Sequence, residues 1–225
     1  MINEEWTPPS LRETKQSKKQ KETNMKKQII IFLLLILIVS ALLGNEETIL
    51  QSTKAKYLNI TTYQAEITQE NIFTQHDMST LSKGQIFIDK KSIVLEYTEP
   101  DYYFLKVDNG EITMYSEVGN MAIINSDDGS YGNMVLHFSS LMSKDFEFFE
   151  IKDNLYIFTI ISPLETVQDL MIYINPTDAL IETIKYSDDM DNKVIINIKN
   201  QLFNTELRHK IEDFVIPDEV SIIEN

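Results

Sequence analysis

Apolar and polar side chains alternate with a period of two over short runs through most of the chain. In the stretch GQIFIDKKSIVLEYTEP, residues 84–100, Ile93, Leu95 and Tyr97 share one wholly apolar face, and Glu99-Pro100 closes the run. Such alternation is typical of a β-strand with one buried face. Similar runs predict strands at residues 61–69, 84–89, 93–98, 102–107, 111–115, 121–124, 146–151, 155–161, 169–174, 180–187 and 193–199.

Turn-forming residues separate these runs, as in Asp108-Asn109-Gly110 and Asn175-Pro176-Thr177-Asp178. Short strands joined by such turns predict a large antiparallel meander. Before the meander, residues 46–59 have a helical pattern, with Leu50, Tyr57 and Leu58 on one side and Asn45 as the cap.

A second helical pattern interrupts the meander at residues 133–143. Its apolar residues fall at positions i, i+4, i+7 and i+8, which gives one apolar, methionine-rich face. This face suits either plain core packing or adaptable contact with apolar guests. Its members are Met134, Phe138, Leu141 and Met142.

The N-terminal part has the pattern of an export signal. Ile29 to Leu43 is an uncharged run of 15 residues that follows Lys26-Lys27 and precedes Gly44, shorter than the roughly 20 residues of a spanning helix. We therefore predict a signal peptide at residues 25–44, with an uncleaved anchor as the alternative. The polar residues 1–24 are either an extended leader or lie before the true start at Met25. Residues 45–225 are predicted to form a single exported domain.

Charge and cysteine content exclude several functions. From Asn45 onward the chain has 13 Lys and Arg against 31 Asp and Glu, a net charge of −18. Nucleic acid and anionic headgroups require a positive surface, so neither is an expected partner. Cysteine is absent, which excludes thiol chemistry and a lipid-modified cysteine.

The sequence predicts no catalytic residues, metal site or cofactor. His76, His137 and His209 lie in unrelated segments, and no nucleophile, zinc or phosphate-loop motif occurs. The acidic clusters at Asp127-Asp128 and Asp188-Asp189 lack the spacing of a calcium loop and are interpreted as turns. A small secreted hydrolase is the least favoured alternative.

A series of short motifs, in order, resembles the periplasmic outer-membrane lipoprotein carriers, the LolA-type proteins. The resemblance spans residues 46–222 and is carried by Ala65-x-Ile67-x-Gln69, Gly84-x-Ile86-x-Ile88, the strand ending at Pro100, Val107-Asp108-Asn109-Gly110, Tyr115, residues 133–143, Asp188-Asp189 and Phe214-Val215-Ile216-Pro217 with Val220.

This resemblance implies an α+β fold: an open, strongly curved antiparallel sheet, an incomplete barrel of about 11 strands, closed by a few helices over an apolar concave face. It implies a monomeric periplasmic carrier that holds lipoprotein acyl chains. It also implies an inner-membrane lipoprotein-releasing transporter and an outer-membrane acceptor as partners. The alternative is an envelope protein-interaction or lipid-sensing module that uses the same fold without transport.

Alternation within each run assigns the residues expected to line the cavity. The same alternation leaves Phe104 on the outer face beside Lys106, which suggests that another element covers that face. Lys90-Lys91 occupies the position of the family's Arg-Pro pair and is either a lid latch or a solvated turn. The lining candidates are Ile93, Leu95, Tyr97, Tyr103, Leu105, Ile112, Met114, Tyr156, Phe158 and Ile160.

Overall fold

The computed structural model describes residues 45–89, 92–126, 138–161, 167–188, 190–209 and 211–224. The chain divides into two compact units, Met1–Thr48 and Ile49–Asn225, and the fold described below is that of the second. Within the described residues, every helix is too short or too polar to cross a membrane. The predicted signal peptide lies outside them.

Two helices and twelve strands form the described secondary structure. The helices are α1 (Asn45–Leu58) and α2 (Phe138–Met142), and a 3₁₀ turn spans Ile211–Asp213. The strands are β1 (Thr62–Phe73), β2 (Met78–Asp89), β3 (Ser92–Glu99), β4 (Tyr103–Asp108), β5 (Glu111–Ser116), β6 (Met121–Ser126), β7 (Phe146–Lys152), β8 (Leu155–Ile160), β9 (Gln168–Asn175), β10 (Leu180–Ser187), β11 (Lys193–Phe203) and β12 (Ser221–Glu224).

All the strands belong to one open sheet in the order β12-β6-β5-β4-β3-β2-β1-β11-β10-β9-β8-β7. Every neighbouring pair is antiparallel except β12 and β6, which are parallel. The predicted fold class is therefore confirmed. The described sheet has one strand more than expected, because Ile222 and Ile223 of β12 are adjacent and give no alternation.

The hairpin of β1 and β2 is longer than predicted. The two strands pair from Thr62 with Asp89 to Phe73 with Met78, whereas the prediction ended the first strand at residue 69 and began the second at residue 84. Residues 70–83 are mostly polar and carry no period-two pattern. Their strand structure comes from backbone pairing rather than from a buried face.

The inner face of the sheet packs against both helices in the larger hydrophobic cluster. Leu50 and Tyr57 of α1 are buried there, as predicted, together with Phe138 of α2. Leu58 was predicted on the same apolar side but is 47% exposed. It is the last residue of α1.

The C-terminal segment covers the outer face of β2 to β6. Phe104 is buried and its ring lies 6.0 Å from that of Phe214, while Lys106 Nζ donates a hydrogen bond of 3.1 Å to the Phe214 carbonyl. Phe87 is a further member of this second cluster. The expectation that another element covers Phe104 is confirmed.

Candidate functional site

The inner face consists of apolar rows that run across the strands. One row contains Ile86, Leu95, Leu105 and Met114, each directly opposite the next in the backbone register. A parallel row contains Ile88, Ile93, Val107 and Ile112. Because residues in register share one face of a sheet, these rows form a continuous apolar surface over β2 to β5.

All ten predicted lining residues belong to the inner cluster. Four of them are only partly buried: Tyr103, Met114, Tyr156 and Ile160. The other six are buried: Ile93, Leu95, Tyr97, Leu105, Ile112 and Phe158. Their placement on one face follows from the register; their contact with a lipid stays a prediction.

In the other half of the inner face, the sequence assigned residues of β8 only. Phe158, Ile172, Ile184 and Ile196 lie in register across β8 to β11 and all are buried. The same alternation was present in the predicted strands at residues 169–174, 180–187 and 193–199. Extending the assignment to these strands would have identified Ile172, Ile184 and Ile196.

Aromatic rings close one end of the inner face. Phe138 of α2 lies 4.9 Å from the Tyr57 ring and 5.1 Å from the Tyr63 ring, and Leu141 and Met142 are buried beside it. Three of the four predicted lid residues therefore pack onto the inner face. Met134, Lys90 and Lys91 lie outside the described residues.

A buried polar network ties α1 to this end of the sheet. Tyr57 Oη donates to Gln201 Oε1 at 2.5 Å and accepts from the Ile181 amide at 3.0 Å. Tyr63 Oη donates to the same Gln201 oxygen at 3.0 Å, and Gln201 Nε2 donates to the Ile181 carbonyl. Burial raises the pKa of both phenols, so both hydroxyls stay protonated donors at neutral pH.

Further tyrosines lie on the inner face near Gln69, which is six positions along β1 from Tyr63. Tyr97 Oη donates to Gln69 Oε1 at 2.6 Å, and the Tyr97 and Tyr103 rings are 6.0 Å apart. Burial, with a smaller contribution from the Asp188 charge, raises the pKa of Tyr186 to about 12. The inner face is thus aliphatic in its middle and carries hydroxyl groups on both sides.

The middle of this face is closed to solvent. Ile86, Ile112, Ile172 and Ile184 are each 0% exposed. An apolar guest reaches them only if some covering group moves.

A groove of about 550 Å³ lies elsewhere, over β10, β11 and β1. Its lining is largely polar and includes Thr68, Glu182, Thr183, Asn197 and Lys199. Such a surface does not suit an acyl chain, because burying these groups against hydrocarbon would leave them without hydrogen-bond partners.

The acidic cluster at Asp188 forms a turn, as predicted. Asp188 Oδ1 accepts from the Met190 and Asn192 amides at 2.9 Å each, and Oδ2 accepts from Asn192 Nδ2. Burial raises the pKa of Asp188 while these hydrogen bonds lower it by more, so the net shift is downward. Asp127, Asp128 and Asp189 lie outside the described residues. Among the residues that the structure describes, no group of three His, Cys, Asp or Glu is placed to hold a metal ion.

No protein-family profile matches this sequence, and no curated protein matches it. Solved structures do match. An uncharacterized conserved protein from Thermus thermophilus is similar at a TM-score of 0.51 and 10% identity, over 80% of this chain and 98% of its own. The two folds are therefore similar. At 10% sequence identity, the match is evidence for the fold and not for the function.

A structure named for the predicted family and a structure of a protein complex are also similar to this chain. A LolA superfamily protein from Nitrosomonas europaea matches at a TM-score of 0.41 and 10% identity, over 72% of this chain and 95% of its own. The complex of MucA and MucB from Pseudomonas aeruginosa matches at 0.43 and 7%, over 79% and 63%. Because these likenesses are weaker, the function has to be argued from the residues of this chain.

Proposed function

We propose that this protein is a periplasmic carrier that binds the acyl chains of lipoproteins on its inner face and moves them towards the outer membrane. The observation that carries the proposal is the continuous apolar surface of β1 to β5 and β8 to β11, with aliphatic side chains in register from strand to strand. An aliphatic surface suits hydrocarbon chains better than a polar ligand, whose groups would lose their hydrogen bonds there.

The energetics favour binding that is tight but reversible. Each methylene moved from water contributes about 0.8 kcal/mol, so a triacylated cargo gains strongly in gross terms. Binding also has a cost, because the cargo must displace the residues that now cover the inner face. Phe138, Leu141 and Met142 are buried on that face. The net affinity is the free energy gained by burying the acyl chains less the cost of displacing this cover, and it is low enough for release.

In this account α2 is the movable part of the cover. Its described part, Phe138–Met142, packs on the inner face, and the stability of a helix in a folded protein comes mostly from such packing. Met142 is flexible and adapts to guests of varied shape. Lys90 and Lys91 are proposed to help hold the cover closed; if neutral substitutions at both leave cargo uptake and release unchanged, that role is ruled out.

Location and partners follow from the same proposal. The segment at residues 25–44 would direct export to the periplasm. A lipoprotein-releasing transporter in the inner membrane would load the protein, and an acceptor at the outer membrane would unload it. The acidic surface would keep the loaded carrier from adsorbing to anionic headgroups on the way.

The alternative is an envelope protein-interaction or lipid-sensing module. The burial of the middle of the inner face favours it, because Ile86 and Ile112 are packed as in an ordinary core. The two functions differ in whether a lipoprotein is carried through water.

The experiment that tests the proposal compares one lipoprotein in acylated and unacylated form. The purified protein is mixed with each and passed over a sizing column. Carriage predicts a soluble complex with the acylated form only. Complexes with both forms, or with neither, would favour the interaction module.

A further inference from the structure

Strand β7 ends the sheet and has no neighbour on its far side among the described residues. Six of its seven residues are exposed, and three of these are large and apolar: Phe148, Phe149 and Ile151. Phe149 is 55% exposed. An edge strand offers unpaired backbone groups with which another strand can pair.

A β-bulge sets the faces of this strand. Phe148 pairs with Phe158 and Glu150 with Ile157, so Phe149 is the extra residue. Ile151 then pairs with Tyr156. Since Phe158 and Tyr156 both lie in the inner cluster, Phe148 and Ile151 point to the same face, although three positions apart.

Glu147 and Lys152 share the opposite face for the same reason. Glu147 pairs with Thr159, which follows Phe158, and Lys152 pairs with Leu155, which precedes Tyr156. The exposed edge thus presents Phe148 and Ile151 on the inner side, and one acidic and one basic residue on the outer side.

We infer that β7 pairs with β7 of a second copy of this chain, antiparallel, with Phe148 opposite Ile151 and Glu147 opposite Lys152. Two-fold symmetry makes each pair occur twice. In this register the apolar side chains meet on the inner face and the unlike charges meet on the outer one. The two sheets continue into each other, and the expected monomer becomes a dimer.

Charge decides between this register and its neighbours. Shifting one strand by two positions, so that Phe148 lies opposite Phe149, places Glu147 against Glu150 twice, and like charges directly opposite destabilise a pair. A shift by one position sets glutamates against Phe148 and Ile151 in one direction, and Glu150 against Glu150 in the other. A shift by two positions in that second direction sets Glu150 against Ile151, which lies on the other face. Only the register with Glu147 opposite Lys152 matches both faces.

The absence of cysteine from the chain allows the register to be tested directly in the full-length protein. Two separately tagged chains, one with Glu147→Cys and one with Lys152→Cys, are co-expressed and mildly oxidised. Opposed residues in an antiparallel pair are about 4.5–5.5 Å apart between Cα atoms, which suits a disulfide. We expect a covalent heterodimer from the mixture and none from either variant alone.

Charge exchange supplies a second readout in chains without cysteine. Co-purification of differently tagged copies is expected to fall with Glu147→Lys and with Lys152→Glu, and to return when both changes are in one chain. Both sites are exposed, so neither change threatens the fold. A double variant no better than the single ones would overturn the pairing.

Three cross-linking results would also overturn it. The mixture gives no covalent dimer, or each single variant cross-links to itself as well as the mixture does. In the third, the Glu147→Cys chain is captured by a different envelope protein while the mixture stays monomeric, which would mean that another protein supplies the added strand.

Discussion

The hydroxyl of Tyr57 and the side-chain oxygen of Gln201 lie 2.5 Å apart and join α1 to β11. Tyr57 is fully buried, and its oxygen also accepts the Ile181 amide. Residues 144 positions apart in the chain therefore share one buried polar network, which fixes α1 across the end of the inner face.

Replacing Tyr57 with Phe removes two hydrogen bonds and leaves the Ile181 amide without this partner. An unsatisfied buried group costs about 1–3 kcal/mol, and we expect the free energy of unfolding in urea to fall by that amount. Tyr63→Phe is the matched control, because Tyr63 Oη only donates to Gln201; its loss should be smaller. Equal losses would show that the Ile181 contact contributes nothing.

Alkaline pH is expected to destabilise the fold. Burial raises the pKa of Tyr57 and Tyr97 above the ordinary value of 10.0. A phenol with a raised pKa in the folded state contributes stability that is present below pH 10.0 and is lost as the pH rises through the folded pKa. Urea titrations above that pH should show a steep fall that is shallower in Tyr97→Phe. An unchanged slope would contradict the assignment.

Gly84 is expected to tolerate no side chain. A Cβ there would lie 1.9 Å from the Glu96 carbonyl oxygen, which is backbone of β3. Gly84→Ala must therefore separate β2 from β3, with a loss of stability above the roughly 1–3 kcal/mol typical of overpacking. Gly119→Ala is the control, since its nearest neighbour would be Ser116 Oγ at 3.5 Å. Thermal unfolding that ranks the two variants the other way would exclude the clash.

Phe214 is expected to anchor the C-terminal segment. Its ring lies 5.7 Å from Phe87 and 6.0 Å from Phe104, and a buried Phe replaced by Ala costs about 3–5 kcal/mol. We expect Phe214→Ala to release β12 from β6, with faster amide hydrogen exchange in both. Val215→Ala should leave exchange unchanged, because Val215 is 68% exposed; equal protection in both variants would disprove the anchor.

The family resemblance supplied the open, curved form of the sheet. The period-two pattern was sufficient for the antiparallel meander and for the face on which ten residues lie, because side-chain alternation and strand pairing share one geometry. It failed where pairing does not depend on a buried face, as in the polar hairpin at residues 70–83 and in the four-residue β12. Phe104 was predicted only in part. Its outward position was readable from Lys106, but the covering residue, Phe214, is 110 positions away and carries no local signal.

The sequence also could not predict how far each side chain of the inner face is exposed to solvent. Alternation places Leu95 and Met114 on one face, yet only the structure shows that Leu95 is 4% exposed while Met114 is partly accessible. Substituting Leu95 would confuse lost binding with lost folding. Met114 is the better position at which to test the function.

The most direct measurement of the central claim is the saturable binding of a fluorescent fatty acid to the wild type and two lysine variants. Met114→Lys places a charge on the inner face, and Ile195→Lys places one on the outer face of β11, opposite Glu70 and Lys185. Acyl-chain binding by the inner face predicts one-to-one saturation, weakened about tenfold or more, that is by at least ~1.4 kcal/mol, in Met114→Lys and unchanged in Ile195→Lys. Absent saturation in the wild type, or equal affinity in the two folded variants, would contradict it.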